Sequence, residues 1–133
     1  MTESEATRAF SAAAEKRGCK TQVLAGSLYQ TGVPDRYFLS ASGRHCWLEF
    51  KMWSRKTLPE RIGWLALFGS PRRAAQDEFV RAICARDPDG ARVCVAHPEG
   101  EMWALYRPGE RPEYELDNAV RGRDGILHWI CGG

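Results

Sequence analysis

The chain has little that would place it in a membrane, in a disulfide scaffold or in a zinc-binding class. No apolar run approaches the ~20 residues that cross a bilayer. No Cys-x-x-Cys pair occurs. The five cysteines (Cys19, Cys46, Cys84, Cys94, Cys131) are odd in number and scattered, which argues against both a zinc site and a disulfide framework. Three of them fall in apolar strand or helix patterns, where a reduced cysteine acts as a small hydrophobe, and a reducing cytoplasm is the simplest compartment. The polar, acidic opening MTESEATRAF lacks the apolar centre of a secretory signal. The net charge is only +2, so no field of one sign announces a nucleic-acid partner, although clustered arginines would permit one. Internal repeats and low-complexity segments are missing. The three histidines (His45, His97, His128) show no metal-ligand spacing, and His45 falls at a predicted turn, where a solvated role fits.

What is present fits a globular protein. The chain has 133 residues, 44% hydrophobic and 27% charged, enough for one core and too few for two ordinary domains. The expectation is a single domain over 1–133, with its core at about 2–106 and a C-terminal extension over 107–133.

Thr2 followed three residues later by Glu5 has the spacing of a capping box. Ala6, Ala9, Phe10 and Ala13 then form one apolar helix face, and Gly18 is placed to end it. Thr21 to Ala25 reads as a strand, 26–32 as a loop, and Tyr37 to Leu39 as a second strand. Ser40-Ala41-Ser42-Gly43 is a tight turn, and His45 to Lys51 returns as the hairpin partner. Trp53 to Gly69 starts basic and ends apolar, and suits either a short helix or a partly ordered loop. Ser70-Pro71 marks a helix start, and Asp87-Pro88-Asp89-Gly90 its stop. Arg92 to His97 and Glu101 to Tyr106 are strands around a Pro98-Glu99-Gly100 turn. Pro108 to Pro112 is linker-like, and the apolar piece Ile126 to Ile130 has no assignable type. The predicted fold class is α/β, with a mixed sheet of about five strands flanked by helices.

The strand at Cys46 carries the chemistry. Alternation puts Cys46, Leu48 and Phe50 on a core face and Trp47, Glu49 and Lys51 on the other. The hairpin partner runs back toward Asp35, so Asp35, Glu49 and Lys51 converge at one end of the sheet. Carboxylates are hard oxygen donors and suit Mg²⁺, with the backbone carbonyl of Phe50 as a third oxygen. A metal there would activate water and neutralise a phosphate, and Lys51 could orient or deprotonate that water or offset phosphorane charge. Read blandly, Glu-x-Lys is an ion pair on a solvated strand face and Pro-Asp a common turn.

Pro34-Asp35 followed by Glu49-Phe50-Lys51 resembles the signature of the PD-(D/E)XK nucleases. Gly32-Val33 and the apolar strand before Glu49 are similar to the virus-type replication-repair (VRR-NUC) nucleases and to small phage Holliday-junction-resolvase-like members. The resemblance implies a restriction-endonuclease-like αβββαβ core, dependence on Mg²⁺ or Mn²⁺, and a DNA substrate, with branched or flap DNA preferred. It also implies a phosphodiester hydrolase in a bacterial or phage-infected cell. It directs attention to a glutamate on the helix before the hairpin and a glutamine near the start of the helix after it; the candidates are Glu5 and Gln76. The capping box alone explains Glu5. Gln76 shares a helix face with Phe79, Val80 and Ile83, so its amide needs a partner, and the site or a backbone carbonyl would provide one.

Arg55-Lys56 and Arg72-Arg73 cluster near the predicted site, with Arg81 and Arg86 beyond, and could neutralise DNA phosphates. Most of the tryptophans are expected in the core; Trp53 could stack on a base. The apolar stretch Ile62 to Phe68 is what either a homodimer interface or a buried segment would contain. Two other functions fit the same residues: a non-catalytic DNA-binding or assembly protein on a nuclease-like fold, and a nuclease directed at RNA.

Overall fold

The computed structural model describes residues 1–23, 36–100 and 102–132. Pro34, Asp35 and the predicted loop 26–32 lie outside the described residues, as do Leu24 and Ala25 of the first predicted strand and Glu101 of the last.

Helix α1 spans Glu3–Lys16. Thr2 Oγ1 accepts the Glu5 N–H at 3.1 Å, and the Glu5 carboxylate accepts the Thr2 N–H at 3.3 Å, which is the predicted capping box. Past the helix Gly18 takes φ +89°. Its N–H is bonded to Glu15 O and that of Cys19 to Ala14 O, the paired bonds of a Schellman ending. Strands β1 (Lys20–Val23), β2 (Arg36–Leu39) and β3 (His45–Met52) follow, paired antiparallel in order. The β2–β3 turn closes with Gly43 at φ +89°, and Ser40 and Arg44 bonded across it.

The stretch with no clear sequence type holds a short strand, β4 (Arg61–Gly63), running directly into helix α2 (Trp64–Phe68). Ser70 then caps as predicted, its Oγ accepting the Arg72 N–H at 3.2 Å. The next turn, Pro71–Arg73, is 3-10, and α3 occupies Ala74–Arg86. Strand β5 (Ala91–Ala96), β6 (Trp103–Pro108), β7 (Glu113–Leu116) and helix α4 (Gly122–Cys131) complete the order.

The sheet has seven strands in the order β1-β2-β3-β5-β6-β7-β4, with β3 and β5 parallel and every other pair antiparallel. The fold is therefore the expected α/β class with a mixed, helix-flanked sheet. Aside from β4 and α2, the chain runs α1-β1-β2-β3-α3-β5, the expected αβββαβ order. The sheet is wider than the five predicted strands because β7, just after the linker-like stretch Pro108 to Pro112, pairs with β6 and recruits β4 to the edge.

Helices cover both faces. On one, α1 and α4 bury Phe10, Phe38, Leu48, Phe50, Leu105 and Ile126. Phe10 is the hub, its ring centroid 5.6 Å from those of Phe38 and Phe50 and 6.0 Å from that of Trp103. On the other face, α2 and α3 pack Phe68 and Val80 against Val93, Val95, Tyr106 and Tyr114. With both faces covered, every residue of β5 is buried, as a parallel central strand requires.

A polar lock holds α3 in place. Asp77 is fully buried. Its Oδ1 accepts from Arg81 Nε at 2.8 Å and from the Tyr114 hydroxyl at 2.9 Å, and Arg111 lies 3.5 Å from Oδ2. Arg81 donates onward to Gly109 O and Glu113 O at 2.8 and 2.9 Å. Burial, and then the neighbouring Asp77 charge, push the Tyr114 hydroxyl well above its ordinary range, so it remains a donor. Arg81, grouped by sequence with the surface basics, thus faces inward and is committed to this lock. Removing one member of a buried ionic set leaves the others uncompensated. Asp77→Asn is expected to lower unfolding stability by about 2–4 kcal/mol and Tyr114→Phe by about 1 kcal/mol, measured by urea denaturation. Equal, small effects would show that the lock is not cooperative.

Candidate active site

Strand β3 is built from residues that suit a pleated, buried surface, Cys46, Trp47, Leu48 and Phe50 among them. As predicted, Cys46, Leu48 and Phe50 enter the α1/α4 core, while Trp47 packs on the α2/α3 side. Glu49 and Lys51 share that second side, and neither is solvated. They are 1% and 6% exposed, which removes the bland reading of an ion pair on a wet strand face. Their Cα partners on β5 are Val93 and Val95, both members of the apolar α2/α3 core.

Taking a carboxylate and an ammonium from water costs several kcal/mol each unless partners replace the hydration. The partners are present. Lys51 Nζ is 3.3 Å from Glu49 Oε1 and donates to Gln76 Oε1 at 3.2 Å. The Phe68 ring lies beside it, 5.2 Å from Nζ to the ring centroid, within cation–π range. Gln76 is the third residue of α3, so the amide reaches Lys51 from the helix that Asp77, the next residue, anchors. Of the predicted residues, the structure brings Glu49, Lys51 and Gln76 together.

The other predicted residues are placed as follows. Asp35 lies outside the described residues; Arg36, peptide-bonded to it, has Leu48 as its Cα partner, one residue from Glu49. Phe50 sits between Glu49 and Lys51, its ring in the opposite core against Phe10. Glu5 is exposed, and its carboxylate serves the α1 cap. Hydrogen bonds from the Thr2 side chain and then its backbone hold the Glu5 pKa below the ordinary 4.5. No hydrogen bond or ion pair among the described residues joins it to Lys51. Arg55 and Lys56 are exposed beyond the end of β3, with the Arg55 guanidinium 5.2 Å from the Trp53 ring centroid. Arg72 and Arg73 are exposed on the 3-10 turn leading into α3.

Among the described residues, no group of three or more His, Cys, Asp and Glu side chains is arranged to hold a metal. The described donors are the Glu49 carboxylate and the Phe50 backbone. Hard oxygens beside an ammonium fit Mg²⁺, which takes one or two carboxylates and completes its shell with water and phosphate. Sequence reasoning missed Phe68, which reaches Lys51 from α2 and has no local signal. It also missed the Asp77–Arg81 pair, whose i, i+4 spacing is a readable signal. Of the apolar stretch Ile62 to Phe68, Ile62, Leu67 and Phe68 are buried in the core, and Leu65 is 48% exposed.

No family model matches the chain, and no curated protein matches it. Among solved structures, it is similar to the 1.6 Å resolution structure of Archaeoglobus fulgidus Hjc, a Holliday junction resolvase from an archaeal hyperthermophile. The match covers 90% of this chain and 86% of that one, at 20% identity and a TM-score of 0.52. At that identity the likeness is one of fold. No helix among the described residues is long and apolar enough to cross a membrane.

Glu5 can be separated from the Lys51 group by experiment. Its depressed pKa means that the ionised carboxylate stabilises the fold above about pH 4.5 and that this contribution is lost as pH falls through the lowered folded value. Glu5→Ala is expected to lower the melting temperature at neutral pH. The deficit should shrink toward about pH 3, read by circular dichroism. Any stabilisation by added Mg²⁺ should survive the substitution; its loss would put Glu5 on the metal.

Proposed function

We propose that the chain is a divalent-metal-dependent endonuclease that hydrolyses phosphodiester bonds in branched DNA. The reading is carried by the Lys51 ammonium, held 3.3 Å from Glu49 and 3.2 Å from Gln76 on a central strand. A buried Glu-x-Lys pair of this kind adds little to stability, and its end of the sheet is flanked by exposed cations. The fold it shares with a Holliday junction resolvase supports a four-way or flap DNA substrate.

Asp35, Glu49 and the Phe50 carbonyl would hold Mg²⁺ or Mn²⁺. Bound there, the ion supplies Lewis acidity and charge neutralisation at the scissile phosphate. An ammonium has three N–H donors. Lys51 directs one at Gln76 and forms an ion pair with Glu49, and the two contacts hold Nζ. We assign another to a non-bridging phosphate oxygen or to the attacking water, where it offsets charge as the pentavalent centre develops. Gln76 touches only Lys51 in this scheme and acts by positioning it. Arg55, Lys56, Arg72 and Arg73 neutralise backbone phosphates. Paired cuts across a junction need two sites, which a homodimer supplies.

The test is cleavage of end-labelled four-way, flap and linear duplexes with Mg²⁺. Asp35→Ala and Lys51→Ala are expected to slow cleavage at least ~100-fold, and Gln76→Ala about 10-fold, with chelation abolishing it. Arg72→Ala with Arg73→Ala should weaken binding across all DNA sequences and flatten the salt dependence by about one unit per charge. Parent-like cutting by Lys51→Ala would remove the site assignment. Cutting of the RNA counterpart alone would shift the substrate class, and a monomeric mass by sedimentation would remove the dimer.

A further inference from the structure

Cys19 and Cys131 are 112 positions apart in sequence, yet their Sγ atoms lie 2.8 Å from one another. An S–S bond is about 2.05 Å long, so less than ~1 Å of movement separates the two thiols from bonding distance. No other pair among the five cysteines makes a sulfur–sulfur contact; Cys46 and Cys84 direct their thiols at the carbonyls of Trp47 and Ala91.

The backbone holds both partners. Cys19 is the third residue after α1, and its N–H is spent on Ala14 O in the Schellman ending. Cys131 is the last residue of α4, with its Sγ 4.0 Å from the same Ala14 carbonyl. Both side chains belong to the α1/α4 core. The pair therefore ties the end of one helix to the end of the other, on the sheet face opposite Glu49 and Lys51.

We propose that Cys19 and Cys131 form a reversible disulfide site whose oxidant is a small-molecule disulfide. One thiolate attacks the oxidant and forms a mixed disulfide, releasing one small thiol. The second thiolate then attacks the protein sulfur and releases the other. The protein loses two electrons and two protons, and one disulfide becomes two thiols. Burial, and then the hydrogen bond with Cys131, raise the Cys19 thiol to about 12. Attack is accordingly slow at neutral pH and faster in base. The staple closes a long loop in the unfolded chain while leaving the opposite face untouched, so stability should change and the Lys51 group should not.

The native chain is incubated with glutathione disulfide at about pH 8, and a second sample is denatured and refolded in the same buffer, which removes access as a variable. The expected product is a monomer lighter by two hydrogens, with peptides containing Cys19 and Cys131 linked in a non-reducing digest. Its melting temperature should exceed that of the reduced chain by roughly 10 °C. Cys131→Ser should give neither change, and the readouts on the parent chain do not depend on that variant folding. Glutathione adducts alone, another pairing as the main product, or no cross-link in the refolded sample would overturn the proposal. None of these readouts depends on nuclease activity.

Discussion

The buried pair of Glu49 and Lys51 sets terms that the rest of the α2/α3 face has to meet. A carboxylate and an ammonium, 1% and 6% exposed on a central strand, lose hydration worth several kcal/mol apiece. Their 3.3 Å contact recovers part of that, and the remaining donors of Lys51 need oxygens. One is supplied by Gln76, which demands that α3 begin directly over the strand. The link from β3 to β5 has to deliver that helix start, and it does so through β4, α2 and the Ser70 cap. A hydrophobic pair of similar size would fill the same space without the desolvation penalty. The charges therefore burden the fold, and the proposed chemistry on a phosphate would account for them.

The second ionic cluster has a different character. Asp77 is as deeply buried as Glu49, yet its partners come from α3 itself, from β7 and from the turn before β7. Arg81 uses Nε on one carboxylate and one N–H of each Nη on a backbone carbonyl, so all three of its nitrogens are engaged. That arrangement ties α3 to β7 and to the turn before it. Gln76 and Asp77 are adjacent in sequence, and one helical step apart they face different tasks: Asp77 fixes the helix, and Gln76 uses the fixed helix to reach Lys51.

How far this was legible from sequence follows the range of each interaction. Thr2 and Glu5, Gly18, Ser70 with Pro71, and the alternation through Cys46 to Lys51 are local patterns, and each appears where the residues predict it. Gln76 was a candidate by resemblance and by its place on an inward stripe, and Lys51 is its partner. β4 is three residues long and owes its existence to pairing with Glu113–Leu116 some fifty positions later, so no local periodicity could announce it. The apolar stretch Ile62 to Phe68 divides between a strand and a helix, which blurs both periods. Phe68 beside Lys51 and Cys19 beside Cys131 are tertiary contacts between segments with no shared pattern. Asp35 lies outside the described residues, and its proposed role comes from the resemblance and from the hairpin partner that runs back toward it.

Phe50 joins the two faces of the sheet at the point where they matter to one another. Its neighbours in sequence, Glu49 and Lys51, point under α2 and α3, while its ring is packed on Phe10 in the α1/α4 core. Strand side chains alternate strictly, so the ring cannot shift along its core without moving both charges. Phe10 in turn holds Phe38, on the strand that begins one residue after Asp35, and Trp103 on β6. The apolar cluster on one face is thus the ruler for the polar group on the other. This explains how a strand can carry two buried charges and still keep a single register: the ring between them is anchored in the apolar cluster of the opposite face. The cysteine pair lies at the rim of that same apolar layer, where tying α1 to α4 would tighten the ruler without touching what it measures.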